Sequence, residues 1–346
     1  MTFNLGIFEI KSMRTSDIKT YFKKLSSEEQ DDLLSDLTNI QSNKEYNLIE
    51  LRELKFNNKQ GVCPHCNNMK YTKMGKDKGV QRYVCKSCNR TFTPFTGTWM
   101  AQIHKKDKLV NYVKLMRQGL SLDKIKSELG INKKTAFDWR HKITNSLKGM
   151  SDEEFTGITE SDETFFLKSS KGSESLTQKP RKRGKQIKTR GISNDQVAVI
   201  VTADRQKSIN LDVSGTGRIS KYDIVKSIGS KINDQTILCT DGHPSFKSFT
   251  KEFKIEHHVL KSNAKEFVKQ QKYHIQNINS MHSRLKNWIN IDLHGVATKY
   301  LQNYLFWFKF KEKYKGDDYM KSVISISLEN TNARSEYLRN KNHILI

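Results

Sequence analysis

The chain has 346 residues, 28% charged and 10% aromatic, which is enough for two or three folded domains and too rich in rings for a disordered chain. Lys and Arg number 61 against 37 Asp and Glu, a formal net charge of +24 that suits a polyanionic partner and disfavours acidic small-molecule metabolism. No run approaches the roughly 18 apolar residues of a membrane span, and acids stand where a secretory signal needs an apolar centre, so neither membrane insertion nor export is expected.

Residues 1–60 hold nine basic and ten acidic side chains, so the positive excess begins after them. Patterning starts at about Thr15, which makes Met13 an alternative start. Ser26 and Glu29 have capping-box spacing, and Leu33, Leu34, Leu37 and Ile40 recur as a helical stripe. This predicts a helical N-terminal region whose apolar face packs within the chain or on a second copy.

Four of the five cysteines form two knuckles, Cys63-x2-Cys66 and Cys85-x2-Cys88, 18 residues apart; Cys239 stands alone in an apolar run. The spacing fits a closed four-thiolate zinc site, structural rather than catalytic, and needs no help from His65. Lys76–Gly79 reads as a turn and Gln81–Cys85 as a strand, so a zinc ribbon is predicted over 61–98, with no disulfides.

Over 99–150 the period becomes helical. Leu109, Tyr112, Val113 and Met116 form one stripe ended by Gly119; Ser121 caps a second helix with Leu122, Ile125 and Leu129 inside, ended by Gly130. A third begins at Asn132 and carries Phe137, Trp139 and Ile143. Three helices joined by short turns predict a helix-turn-helix, whose last helix enters the major groove. Asn132, Lys133, Lys134, Thr135 and Arg140 are its candidate DNA contacts.

Ile158–Leu167 alternates as a strand with Glu160, Asp162 and Thr164 on one face. Lys168–Arg190 then has nine basic residues and one acid, a basic insertion whose Arg181, Lys182 and Arg183 are candidates for phosphate contact. Val197–Ala203 and Ser208–Val213 read as strands and Tyr222–Ile228 as a helix. Thr236–Thr240 is an apolar strand ending at Asp241-Gly242, where the aspartate either faces a site or merely caps the turn. After a strand at Glu256–Leu260, a long helix from about Ile278 aligns Asn279, His282, Ser283 and Lys286 on one side, and Met281, Leu285 and Trp288 on another. Tyr300, Leu301, Tyr304, Leu305 and Phe308 keep helical spacing and read as core. Two acids on separate strands and a polar residue on a later helix form a pattern that gathers a pair of hard cations, magnesium or manganese, about 3.5–4 Å apart against a phosphodiester.

In this order, the two knuckles, Thr91–Thr98, Glu160-Ser-Asp162-Glu-Thr164, Lys179–Gly184, Thr240-Asp241-Gly242 and Asn279-x6-Lys286 resemble the ISXO2-like insertion-sequence transposases, which join a zinc ribbon to an RNase H-like DDE domain. The resemblance implies a multidomain α+β chain: helical 1–60, ribbon 61–98, helix-turn-helix 99–150, an RNase H-like mixed-sheet α/β catalytic domain at 151–311 with its basic insertion at 168–190, and a tail at 312–346. It implies Asp162 and Asp241 as the first two metal ligands and Lys286 as a DNA contact near the reacting phosphate. Most DDE enzymes have glutamate where this chain has Asn279; an amide oxygen still coordinates magnesium but removes a negative charge. Glu266 is the alternative third ligand, and Glu160 a supporting partner of Asp162. The expected activity is metal-dependent cleavage and strand transfer at terminal inverted repeats. The expected agent is a homo-oligomer on double-stranded DNA in a bacterial cytoplasm, associated with the nucleoid. The competing class is an inactive, transposase-derived DNA-binding regulator.

Overall fold

A computed structural model of the chain describes residues 15–45, 47–58, 61–150, 154–171, 191–260, 268–316 and 318–329. It divides into two compact units, Met1–Thr96 with Gln102–Ala136, and Gly97–Ala101 with Phe137–Ile346. Glu266, Arg181, Lys182, Arg183 and Met13 lie outside the described residues.

In the first unit the N-terminal region forms three helices rather than one: α1 (Thr15–Phe22), α2 (Ser27–Glu45) and α3 (Leu48–Asn58). The Ser26 hydroxyl accepts the Glu29 N–H at 3.3 Å while the Glu29 carboxylate accepts the Ser26 N–H at 2.9 Å, so the capping box starts α2. Leu34 and Leu37, predicted to pack, remain 50% and 51% exposed. The hairpin β1 (Tyr71–Asp77) and β2 (Val80–Cys85) turns at Lys78 and Gly79, both at positive φ, and β3 (Thr91–Phe92) pairs with β2. Phe56, Tyr83 and Phe92 form its small core beside Cys63 and Cys85. Next come α4 (Leu109–Arg117) and α5 (Leu122–Leu129), the latter opened by the Ser121 hydroxyl and closed by Gly130 in the left-handed conformation. The Tyr112 hydroxyl donates to the Ala136 carbonyl on α6 (Lys133–Ser146), a helix that gives its first turn to this unit and the rest to the other.

The second unit is built on a five-stranded mixed sheet. Its strands are β4 (Phe155–Leu167), β5 (Gln196–Asp204), β6 (Ile209–Thr216), β7 (Ile232–Thr240) and β8 (Glu256–Val259), in the order β6-β5-β4-β7-β8. The first three are antiparallel; β7 and β8 lie parallel to β4. α7 (Lys221–Ile228) and α8 (Pro244–Phe253) cover one face, where Ile200, Ile224, Leu238, Phe246 and Phe249 form a solvent-free core. α9 (Gln276–Asn287), continued by a π-helical turn at Trp288–Asp292, and α10 (Leu301–Lys313) lie on β4, β5 and β6 from the other side. This accounts for the uninterrupted apolar run of β5, which is buried on both faces.

Residues expected to form a tail instead include α11 (Asp318–Glu329), which buries Tyr319, Met320, Val323, Ile324 and Leu328. The Trp99 indole donates to the Ser327 carbonyl at 3.0 Å, and the Trp307 indole to the Tyr319 hydroxyl at 2.9 Å. The expectation failed because the helical spacing of these apolar residues follows a short polar break. Truncating Ile200, fully buried in β5, to alanine is expected to cost about 2–5 kcal/mol in urea unfolding. A loss below about 1 kcal/mol would contradict the placement of the core.

Candidate functional site

Two clusters of ligating side chains stand out among the described residues: Cys63, Cys66, Cys85 and Cys88 in the first unit, and Asp162, Glu163 and Asp241 in the second. Within each, the ligand atoms lie within 4.8 Å of one another.

The thiol cluster is made by two equivalent turns. Asn67 donates its N–H to the Cys63 carbonyl at 2.8 Å, and Asn89 does the same to Cys85 at 3.0 Å. Each asparagine directly follows a second cysteine and adopts a left-handed φ, of 57° and 54°. The paired turns bring Cys63 and Cys88 sulfurs to 3.7 Å and Cys66 and Cys85 to 3.6 Å; all four are free thiols. The Cys88 N–H, with that of Ser87, pulls the Cys85 thiol down to about 6. Four soft, preorganised sulfurs with no carboxylate among them match a closed tetrahedral metal site.

The acid cluster forms where a strand stops. Parallel pairing of β4 with β7 ends at Glu160 and Cys239, yet β4 runs on to Leu167. Extending that register sets Asp162 beside Asp241, just past the end of β7. Asp241 accepts the His243 N–H at 3.0 Å, so it caps the turn as well as facing the cluster. Gly242 sits at φ +91°, and a Cβ there would meet Val259 at 2.4 Å, so the chain leaves β7 through a turn that only glycine fits. Glu163 was not expected, because alternation assigns it to the face opposite Asp162. Past Glu160, however, β4 has no partner on the β7 side among the described residues, and a carboxylate oxygen of Glu163 lies within 4.8 Å of those of Asp162 and Asp241. Its Oε2 is buried without a hydrogen-bond partner among the described residues. The sequence signal was present in the adjacent Asp162-Glu163 pair, but a face-by-face count conceals it.

α9 supplies the other wall. His282 is 8% exposed, its Nδ1 lies 3.8 Å from Asp162 Oδ2, and its Nε2 is buried without a partner among the described residues. Burial and the charge of Lys286 hold His282 down to about 4, so it is a neutral ring. Asn279, one turn earlier, and Lys286, one turn later, share that side of the helix and are exposed. Burial pushes Asp162 up to about 8, reinforced by Asp241 and Glu163 and opposed by Lys286. Burial also raises Glu163; His243 opposes this and Asp241 adds to it. Crowded carboxylates with an orphaned oxygen and too few donors fit a hard divalent cation.

Glu160 is not in the cluster, although it shares the face of Asp162: it is 1% exposed and accepts the Asn277 and Ile278 N–H groups at 3.0 and 3.2 Å. Of the groove candidates, Lys133 and Lys134 are exposed on the first turn of α6, opened by Asn132 Oδ1 accepting the Lys134 N–H at 2.8 Å. Lys133 pairs with Asp123 at 2.9 Å, and Thr135 is half-buried. Arg140 is corrected: it is 5% exposed with its guanidinium 5.6 Å from the Trp307 ring centre, so packing on α10 removes it from any groove-facing surface. No described helix is long and apolar enough to cross a membrane.

Residues 154–313 match the model of the ISXO2-like transposase domain. Over 294 residues the chain is 24% identical to an uncharacterized protein in transposable element ISH50 of Halobacterium salinarum, covering 80% of this chain and 95% of that protein. It is also similar to the Mos1 transposase paired-end complex with left transposon end, at 11% identity and TM-score 0.28, covering 68% of this chain and 80% of that one. A pre-cleavage Mos1 transpososome gives 10% identity and TM-score 0.24, covering 66% and 76%. Both superpositions are too loose to inform the fold.

The raised Asp162 carboxyl has a thermodynamic consequence. Without cation, the unfolded chain ionises it from the ordinary 3.8 while the fold keeps the proton until about 8, so stability falls as pH rises across that window. In chelator-treated protein, Asp162→Asn is expected to flatten this decline in thermal melting. An unchanged profile would contradict the burial and crowding of Asp162.

Proposed function

We propose that this chain, whose residues 154–313 match the ISXO2-like transposase domain, is an insertion-sequence transposase that cuts and joins DNA at the terminal inverted repeats of a mobile element. The observation that carries this reading is the convergence of Asp162, Glu163 and Asp241 at the open end of β7 under the Asn279–Lys286 side of α9. The order β6-β5-β4-β7-β8, three antiparallel strands and then two parallel, supports an RNase H-like catalytic domain over about 151–311. The four-thiol hairpin supports a zinc ribbon at 61–98, and α4, α5 and α6 support a helix-turn-helix within 99–150.

Asp162, Asp241 and the Asn279 amide oxygen are the proposed ligands of magnesium or manganese, and Glu163 restores the negative charge that asparagine lacks. Cations bound there would neutralise and align the oxygens of the scissile phosphodiester. Around them the chain positions DNA. Lys286 meets the phosphate beside the cluster, while Lys133, Lys134 and Thr135 enter the groove from the N-terminal turn of α6. Arg181, Lys182 and Arg183 supply further phosphate contacts from the basic insertion. Hydrolysis at the element end frees a 3′ hydroxyl, which then displaces a phosphodiester oxygen of target DNA with no covalent protein intermediate. Action at two ends calls for a homo-oligomer on the DNA.

With a terminal-repeat duplex and magnesium or manganese, Asp162→Asn and Asp241→Asn are each expected to reduce strand transfer to background while leaving end binding intact. Asn279→Ala should lose most activity, and Asn279→Asp should retain some. Normal transfer by either aspartate variant overturns the assignment, and end binding without any cleavage by the wild type identifies the regulator. Native metal analysis should find one zinc per chain, lost in Cys63→Ser, with weaker end binding after chelation. A zinc-free native protein contradicts the ribbon.

A further inference from the structure

The carboxylate of Glu160 has five polar partner contacts among the described residues. It is two residues from Asp162 on the same strand face. One oxygen accepts the Asn277 N–H at 3.0 Å and the Ile278 N–H at 3.2 Å, the unpaired donors at the start of α9. The other accepts the Asn277 side-chain amide at 2.7 Å and lies 3.2 Å from the Arg205 guanidinium and 3.3 Å from His274 Nδ1. Arg205, on the turn after β5, also donates to the Lys272 carbonyl at 3.1 Å and to His274 Nε2 at 3.0 Å. His274 Nδ1 also lies 3.3 Å from the Gln276 N–H, so the ring links Arg205 and Glu160 to the first residue of α9. One buried charge therefore joins β4, the β5–β6 turn, the segment before α9 and the first turn of α9 itself.

The register makes this junction consequential. Two strand residues span about 6.6 Å and four helical residues about 6 Å, so α9 keeps pace with β4: Ile278 meets Glu160 and His282 meets Asp162. Asn279 directly follows the anchored Ile278. We propose that Glu160 is a positioning residue, which with Arg205 and His274 fixes the axial register of α9 and so presents Asn279 and Lys286 to the Asp162–Asp241 cluster. A slip of one helical residue would rotate Asn279 by about 100° and take it off that side.

The inference rests on the metal reading of the cluster, and the experiment separates the two. Amide hydrogen exchange over residues 276–282 is measured in metal-free protein, and manganese affinity by electron paramagnetic resonance, for wild type, Asp162→Asn, Asn279→Ala, Glu160→Gln and Glu160→Gln/Asn279→Ala. Glu160→Gln should accelerate exchange at the start of α9 and weaken manganese binding by about 10–100-fold. The double variant should bind no more weakly than Asn279→Ala, because Glu160 acts through that residue. If Glu160→Gln does not fold, Arg205→Ala at the exposed end of the junction should show the same changes on a smaller scale. A lowered Tm with wild-type manganese affinity, or losses that add in the double variant, would make Glu160 merely structural and overturn the proposal. Wild-type affinity in Asp162→Asn would overturn the metal reading itself, and the proposal with it.

Discussion

The second unit is organised by a mismatch in strand length. β7 pairs with β4 only as far as Cys239 against Glu160, and Gly242 then turns the chain away because no side chain fits beside Val259. The remainder of β4 keeps β5 on one edge and, among the described residues, has no ladder partner on the other. Asp162, Glu163 and Asp241 come together at this point, where β7 has ended and β4 continues. Burial first, and the neighbouring Asp241 and Glu163 charges second, raise the Asp162 carboxyl. The crowded acids stand at the edge of a packed core, since Ile200 of β5 pairs directly with Glu163 and belongs to the cluster of Leu238, Phe246 and Phe249.

Glu160 and Asp162 show how two carboxylates on one face acquire opposite roles. Glu160 meets the open N-terminus of α9, where backbone donors point at it and the helix dipole favours a negative charge. Asp162 meets the side of the same helix, where its neighbour is a neutral, buried His282 rather than a donor-rich turn. One acid is spent on architecture; the other is left short of partners and so suited to a cation.

Local features were legible in the sequence because local chemistry determines them. The Ser26–Glu29 box, the Ser121 cap, the Gly130 stop and the paired cysteine turns depend on residues three or four apart. Most strands and helices from 155 to 313 follow their apolar periods, but α8 (Pro244–Phe253) was not among the expected elements. What could not be read depends on where elements end relative to one another. Alternation excluded Glu163 because a periodic rule assumes that both strand edges are occupied. Arg140 looked groove-facing until the aromatic surface of α10 claimed it, and Glu160 looked like a companion of Asp162 until α9 was placed. The amphipathic pattern of 318–329 was overlooked through the polar break before it.

The central claim, that a divalent cation is gathered at the open end of β7, is tested most directly by anomalous scattering from crystals grown or soaked with manganese. The account predicts a peak about 2.1–2.3 Å from carboxylate oxygens of both Asp162 and Asp241. Manganese ordered elsewhere, with these carboxylates uncoordinated at saturating concentration, would contradict it.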